Sequence, residues 1–157
     1  AAIKGSTAHL KCTASPSNPN VIAGTRFSVV VEVEPNPDIH VYAPGAEAMG
    51  YRVVSLNLAP VPHVRFEPVE FPASEIYHFE PLDERVPVYQ RPFTLLQEAV
   101  VAATPETEEA LAQLDALTLS GTFDYQACDD RLCFEPVAVP LSFTLDLELL
   151  DRQRVNR

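Results

Sequence analysis

The alternation of apolar and polar residues is the main signal along this chain, and it predicts β-strands. In residues 26–34, RFSVVVEVE, the odd positions are phenylalanine and valine while most even positions are polar. The same period of two recurs in residues 117–128 and in residues 137–149, whose odd positions are all apolar. Such alternation is typical of strands that bury one face. Since only a short turn joins the last two segments, we expect them to be adjacent antiparallel strands.

Weaker patterns add further elements. Apolar stretches at residues 39–43, 52–59 and 92–102 predict three more strands. A helix is indicated at residues 104–114, where Thr104 can cap the first turn and glutamates oppose the helix dipole. Roughly seven strands with one short helix predict an all-β fold, an immunoglobulin-like antiparallel β-sandwich.

The domain organisation predicted from these elements is simple. Residues 1–25 are expected to be a loose segment with at most a short edge strand, residues 26–150 to be the sandwich, and residues 151–157 to be a basic tail. Residues 60–92 are rich in proline, which cannot donate to an interior ladder. This stretch is therefore predicted to run along sheet edges or to form a long ordered loop.

Composition and charge narrow the function. The chain has 157 residues, 46% of them hydrophobic, and no apolar run reaches the roughly 20 residues that a membrane helix needs. Its net charge of −11 disfavours nucleic acid and anionic membrane surfaces as partners. The four histidines lie at no metal-ligand spacing. We therefore expect no nucleic-acid binding, no membrane insertion, no metal and no cofactor.

Three cysteines carry the candidate chemistry: Cys12, Cys128 and Cys133. The last two flank DDRL in a hairpin between the two strongest strands. Continued alternation from Tyr125, which faces the core, places Cys128 on the opposite face near the surface. Closing a loop of about six residues contributes only about 2 kcal/mol. A redox role explains such a weakly stabilising bond better than a structural role does. A structural disulfide and a metal site remain the alternatives.

The charges beside the pair bear on its reactivity. A thiolate is favoured by nearby positive charge and opposed by negative charge. Asp129 and Asp130 oppose thiolate formation, while Arg131 favours it. The sequence therefore predicts no strongly activated thiolate in the free domain, which suits a carrier that reacts when docked to a partner.

The hairpin YQACDDRLCFEP, followed by VPLSFTL, resembles the active-site hairpin of the N-terminal domain of thiol:disulfide interchange protein DsbD and of related disulfide bond corrector domains. DIHVYAPG at residues 38–45 resembles an early tyrosine-bearing strand of that family. Residues 74–95 resemble the segment that carries its cap loop. The resemblance implies an immunoglobulin-like domain whose cysteine pair lies under a cap loop.

The resemblance also implies a function. Cys128 and Cys133 are expected to exchange disulfides in the periplasm or another extracytoplasmic space, with protein-disulfide reductase activity. The expected partners are thioredoxin-like or other envelope thiol proteins and a membrane-embedded electron donor. The resemblance favours Cys133 as the first attacker, whereas strand parity favours Cys128, so the order stays open.

Aromatic residues are the candidates for shielding and docking around the sulfurs. We interpret them as a cap or docking surface, with ordinary packing as the alternative: Tyr42, Tyr77, Phe79, Tyr89 and Tyr125. Residues 74–90 are predicted to lie against the cysteine hairpin as a cover, because their apolar side chains are unlikely to remain in solvent. The competing function is a non-catalytic sandwich subunit of an envelope complex, with a structural disulfide.

Overall fold

The computed structural model describes residues 3–147. Residues 148–157, which include the predicted basic tail, lie outside the described residues. The strands in chain order are β1 (Ile3–Ser6), β2 (Leu10–Pro16), β3 (Asn20–Val21), β4 (Arg26–Pro35), β5 (His40–Tyr42), β6 (Ser55–Leu58), β7 (Val64–Glu70), β8 (Glu75–Phe79), β9 (Glu84–Tyr89), β10 (Phe93–Val101), β11 (Ala116–Tyr125), β12 (Ala127–Cys128) and β13 (Val137–Leu147).

The strands form three sheets. Their orders are β1-β2-β4-β10-β7, β3-β13-β11-β6 and β12-β5-β9-β8. Every pairing between these strands is antiparallel except that of β3 with β13. The predicted immunoglobulin-like β-sandwich with one short helix is confirmed.

The main core lies between the five-stranded sheet and the four-stranded sheet of β3, β13, β11 and β6. Its side chains come from alternate positions of the long strands, among them Val29 and Val31 of β4, Phe123 of β11, and Leu141 and Leu145 of β13. Burying one such side chain contributes roughly 1.5–3 kcal/mol. The predicted pairing of the two strongest strands is also confirmed, since β11 and β13 align from Ala116–Asp146 to Tyr125–Val137.

The N-terminal segment corrects one expectation. Residues 10–16 form β2, which lies inside its sheet between β1 and β4 rather than at a loose edge. Leu10, Cys12 and Ala14 alternate into the core. The sequence indicated only a possible short edge strand here, because the alternation is short and is followed at once by a polar, proline-containing turn. The sandwich therefore begins well before residue 26.

The proline-rich stretch at residues 60–92 is the second correction. It forms three strands, and although β7 and β8 are edge strands, β9 lies inside the third sheet between β5 and β8. Pro87 is tolerated within β9 because it lies where β5 ends. Its carbonyl accepts a hydrogen bond from the N–H of Ala43, the residue just after β5. Because the N–H and C=O of one residue point to the same side of an antiparallel strand, the hydrogen bond that Pro87 cannot donate would also lie beyond the end of β5. An interior strand can thus contain proline where pairing on one side stops.

The helix, α1 (Pro105–Ala112), forms where the sequence predicts it. The side chain of Thr104 accepts a hydrogen bond from the N–H of Thr107 at 3.2 Å, and this caps the first turn. Within the part of the chain that the structure describes, no helix has the length and apolar character needed to cross a membrane.

Candidate functional site

The third sheet separates the main core from a second, smaller apolar cluster. Because neighbouring residues of a strand point to opposite faces, Val41 of β5 and Ala127 of β12 face the main core. Tyr42, Val88 and Cys128 point the other way and pack together. The candidate site is built on this second face, outside the main core.

The cysteine hairpin is held by a tight turn. Cys128 and Cys133 are joined by a disulfide bond. The backbone N–H of Asp129 donates to the carbonyl of Leu132 at 3.0 Å. The Asp129 carboxylate accepts from the N–H groups of Arg131 at 2.7 Å and Leu132 at 2.8 Å. An aspartate at this position therefore stabilises the turn that brings the two sulfurs together.

The two cysteines differ in exposure. Cys128 is 1% exposed, whereas Cys133 belongs to the exposed residues. This corrects the expectation that strand parity places Cys128 at the surface. Cys128 does lie on the face opposite Ala127, but the second cluster covers that face of β12, so both residues are buried. Of the two cysteines, Cys133 is therefore the one with surface available to a partner.

Tyr42 touches both sulfurs. Its hydroxyl donates to Sγ of Cys128 at 3.2 Å and lies 3.7 Å from Sγ of Cys133. Burial is the main cause that raises the pKa of Tyr42, so the hydroxyl remains a donor. Its ring stacks on Tyr51 at 4.2 Å. Tyr51 donates to Glu84 at 2.6 Å, and this hydrogen bond is the main reason that its pKa rises to about 12.

The hairpin of β8 and β9, residues 75–89, which we name the cap hairpin, packs beside the disulfide. Tyr77, Phe79 and Val86 line a pocket of about 150 Å³ together with both cysteines. Ile76, which directly precedes Tyr77 in β8, is 63% exposed. One face of the cap hairpin thus lies over the sulfurs, and the other faces solvent.

Two of the five predicted aromatic residues lie elsewhere. Tyr89 is buried in the main core, stacks on Phe93 at 4.2 Å and donates to the carbonyl of Pro72 at 2.8 Å. Tyr125 is fully buried, with its hydroxyl 2.6 Å from the hydroxyl of Thr7. Both are core residues because their strand positions face the sandwich interior. This corrects their assignment to a cap or docking surface.

Two residues of the site were missed in the sequence. His40 lies opposite Cys128 in the pairing of β12 with β5, and its ring centroid is 4.2 Å from that of Tyr77. Tyr51 follows a 3₁₀ turn, with no periodic pattern to indicate its direction. The sequence did offer a signal for His40: it lies two residues before Tyr42 on a predicted strand, so both side chains are expected on the same face.

The electrostatics of the turn are set mainly by backbone groups. The N–H groups of Leu132 and then Arg131 are the largest causes that lower the pKa of Asp129. Asp129 is therefore a fixed negative charge beside the pair, which opposes thiolate formation as the sequence suggested. Among the described residues, no group of three His, Cys, Asp or Glu side chains is placed to hold a metal ion. Cys12 packs separately in the main core.

Comparison with protein families gives one match, over residues 12–143, to the model described as thiol:disulfide interchange protein DsbD, N-terminal. The chain belongs to this family. Membership confirms the resemblance carried by the cysteine hairpin, and the matched range contains both cysteines of the pair. The matched range also begins within β2, in agreement with a sandwich that starts before residue 26. No curated protein sequence matches the chain.

A solved structure with a TM-score above 0.5 shows the same fold at low identity. The N-terminal periplasmic domain of ScsB from Proteus mirabilis aligns with a TM-score of 0.56 and 13% identity, covering 89% of this chain and 47% of that one. The chain thus spans about half of the ScsB structure. The reduced N-terminal domain of DsbD from Neisseria meningitidis aligns with a TM-score of 0.49 and 14% identity, covering 85% of this chain and 86% of that one.

Proposed function

We propose that this domain carries out thiol–disulfide exchange in an extracytoplasmic space, with Cys128 and Cys133 alternating between disulfide and dithiol. The observation that carries the proposal is the asymmetry of the pair. Cys133 is an exposed residue, while Cys128 is buried and its sulfur accepts a hydrogen bond from Tyr42. A bond that only stabilises the fold needs no such environment, and it closes too short a loop to contribute much.

The chemistry follows from that asymmetry. A partner thiolate attacks Sγ of Cys133, the bond between the two sulfurs breaks, and Cys128 leaves with the electron pair. The hydrogen bond from Tyr42 stabilises that departing sulfur. A second partner thiolate then cleaves the mixed disulfide and leaves the dithiol form. In the opposite direction, the Cys133 thiolate attacks a partner disulfide and Cys128 closes the pair, transferring two electrons.

The proposed partners are thioredoxin-like or other envelope thiol proteins, with a membrane-embedded protein as a source of electrons. Family membership supports these partners, because the family is named for the N-terminal domain of a thiol:disulfide interchange protein. The periplasm is the proposed compartment, which agrees with the periplasmic description of the ScsB domain. In this role the domain acts as a protein-disulfide reductase or as a carrier for one.

Trapping experiments test the proposal. A Cys128→Ser variant leaves the exposed sulfur alone and should accumulate a mixed disulfide with an oxidised thioredoxin-like protein. The matched Cys133→Ser variant should trap far less, because its remaining sulfur is buried. Equal trapping by both variants would contradict the assignment of Cys133 as the attacking residue.

The reduction potential separates exchange from the competing structural role. Glutathione-buffer titration of the wild-type pair should give a value above about −300 mV, the region of exchanging rather than structural disulfides. A value below that limit would favour the interaction subunit with a structural bond.

A further inference from the structure

His40 faces the buried sulfur across two paired strands. It is directly opposite Cys128 in the antiparallel pairing of β5 with β12. Directly opposed residues of such a pair share a face, with Cβ atoms about 4.5–5.5 Å apart. His40 also lines the same pocket as both cysteines. The imidazole and the sulfur of Cys128 therefore lie at neighbouring positions on the same strand face and line one pocket.

The ring contacts of His40 are aromatic, and none of them requires a polar ring. Its side chain is buried, and its Nε2 atom has no hydrogen-bond partner among the described residues. The ring packs between aromatic side chains, at 4.2 Å from the Tyr77 centroid and edge-on at 5.4 Å from that of Tyr42. A phenylalanine would satisfy these contacts without leaving a buried nitrogen unpaired, so the nitrogen calls for a functional explanation.

We propose that His40 is the base that accepts the thiol proton of Cys128 when the pair closes, an inference that rests on the exchange function proposed above. In the mixed disulfide, Cys133 is bound to the partner sulfur and Cys128 is a buried thiol. The imidazole takes its proton, and Sγ of Cys128 forms a bond with Sγ of Cys133. The partner sulfur leaves with the electron pair of the broken bond and receives a proton from the imidazolium or from water.

The charges around the pocket suit a base at this position. Burial lowers the pKa of His40, which keeps the imidazole neutral and able to accept a proton near neutral pH. The carboxylate of Asp129 acts against that shift and stabilises the imidazolium once it forms. The other titratable side chains that line the pocket are Tyr42, Tyr51, Tyr77 and Arg131, besides the cysteines.

A chromogenic disulfide reagent separates the closing step from the first attack. In a Cys12→Ala background, the reduced protein is mixed with dithiobis-nitrobenzoate. The first thionitrobenzoate is released by attack on the reagent, at a rate proportional to its concentration. The second is released when Cys128 closes the pair, at a rate independent of that concentration. The two rates report the two sulfurs separately.

Removing the base should slow only the second release. His40→Phe keeps an aromatic ring between Tyr42 and Tyr77, and His40→Gln keeps a polar group. Both variants should slow the second release by about 100-fold, the lower end of the rate contribution of a general base. The rate of the first release should stay within about twofold of the wild-type rate. The wild-type closing rate should fall as acid protonates His40. In the variants, the rate should instead follow ionisation of the thiol itself at about pH 8.5 or above.

The control is His78→Gln, which removes an exposed histidine of the cap hairpin that is hydrogen-bonded to Asp83. It should change neither release. Closing rates in both His40 variants within about threefold of wild type, with an unchanged pH profile, would overturn the inference while leaving exchange intact. A wild-type protein whose second release depends on reagent concentration would overturn the exchange function itself, and the role of His40 with it.

A second measurement needs no substitution of His40. In Cys133→Ala protein, whose Cys128 is a lone thiol, the NMR titration of the His40 ring should show a second inflection where that thiol ionises. The inflection should be missing in a variant with alanine at both positions. Identical titrations in the two proteins would contradict a coupled pair, even if the His40 variants did not fold.

Discussion

At the scale of single residues, the two sulfurs of one bond lie in different environments. Cys128 is buried in the second cluster, and its sulfur accepts a hydrogen bond from the hydroxyl of Tyr42. Cys133 is an exposed residue. The sequence motif indicated the pair and Tyr42. It could not indicate which sulfur is buried, because that depends on β12 leaving the sheet of β11, a long-range pairing that alternation does not encode.

Replacement of Tyr42 by Phe tests the hydrogen bond to the buried sulfur. A reduced sulfur accepts a hydrogen bond better than a disulfide sulfur, so the bond favours the reduced form. Its loss should cost the reduced state about 0.5–1.5 kcal/mol, which lowers the reduction potential by about 10–30 mV. Titration against a glutathione buffer measures the change. Tyr51→Phe, which loses a bond to Glu84 instead, should shift the potential less. A potential that rises in Tyr42→Phe would contradict this assignment.

Burial of His40 predicts a pH dependence of stability. Its pKa is lowered in the folded state, chiefly by burial, so the unfolded chain binds the proton more readily. Stability is therefore complete above the unfolded pKa of about 6.5 and declines as the pH falls towards the lower folded value. Wild-type protein should lose up to about 1.4 kcal/mol per pH unit more than His40→Gln in this window. Urea unfolding between about pH 7 and pH 5 measures it, and parallel curves would refute it.

At the scale of elements, we propose that the cap hairpin limits access to the cysteine pair. Tyr77 and Phe79 line the pocket of the sulfurs, and Ile76 on the same strand points to solvent. Replacing both aromatic residues with Ala should raise the alkylation rate of the reduced cysteines several-fold, because the pocket opens. Mass spectrometry after timed iodoacetamide treatment measures each site. Ile76→Ala is the matched control and should leave the rates unchanged; equal rates in all three proteins would contradict a cover.

Gly121 marks a close approach between β11 and β6. A Cβ atom at this position would meet the backbone, at 2.8 Å from the Cα of Leu58 and closer still to the carbonyl oxygen of Asn57. Gly121→Ala should therefore destabilise the domain by roughly 1–3 kcal/mol, the usual range for overpacking. Ser120→Ala, at the neighbouring exposed position, should change the free energy of unfolding by less than about 0.5 kcal/mol. Equal effects in urea unfolding would rule out the steric explanation.

The elements that could be predicted are those with a long period of two or with local capping. β4, β11, β13 and α1 form where the pattern places them. The pattern did not predict β9, because Pro87 argues against an interior strand unless the end of its neighbour is known. Alternation along β11 already indicated that Tyr125 faces the core, whereas burial of Tyr89 follows from the position of β9 in the third sheet, which sequence alone does not specify.

At the scale of the whole molecule, the cysteine pair and the main core lie on opposite faces of the third sheet. The core takes its side chains from the five-stranded sheet, from the sheet that contains β11 and β13, and from one face of β5, β9 and β12. The pair belongs to the small cluster on the other face. This separation lets the bond open without removing a side chain from the main core, which a domain that alternates between two redox states requires.

Reduction of the disulfide should therefore leave the domain folded. The bond closes a loop of about six residues, so its loss should lower the free energy of unfolding by only about 2 kcal/mol. That is a minor part of the roughly 5–15 kcal/mol typical of native domains. Urea unfolding of the oxidised protein and of protein kept reduced with a phosphine measures the difference. A Cys128→Ser, Cys133→Ser double variant should resemble the reduced form. Unfolding on reduction, or a loss far above 2 kcal/mol, would instead indicate a structural bond, since an exchanging domain must remain folded in both states.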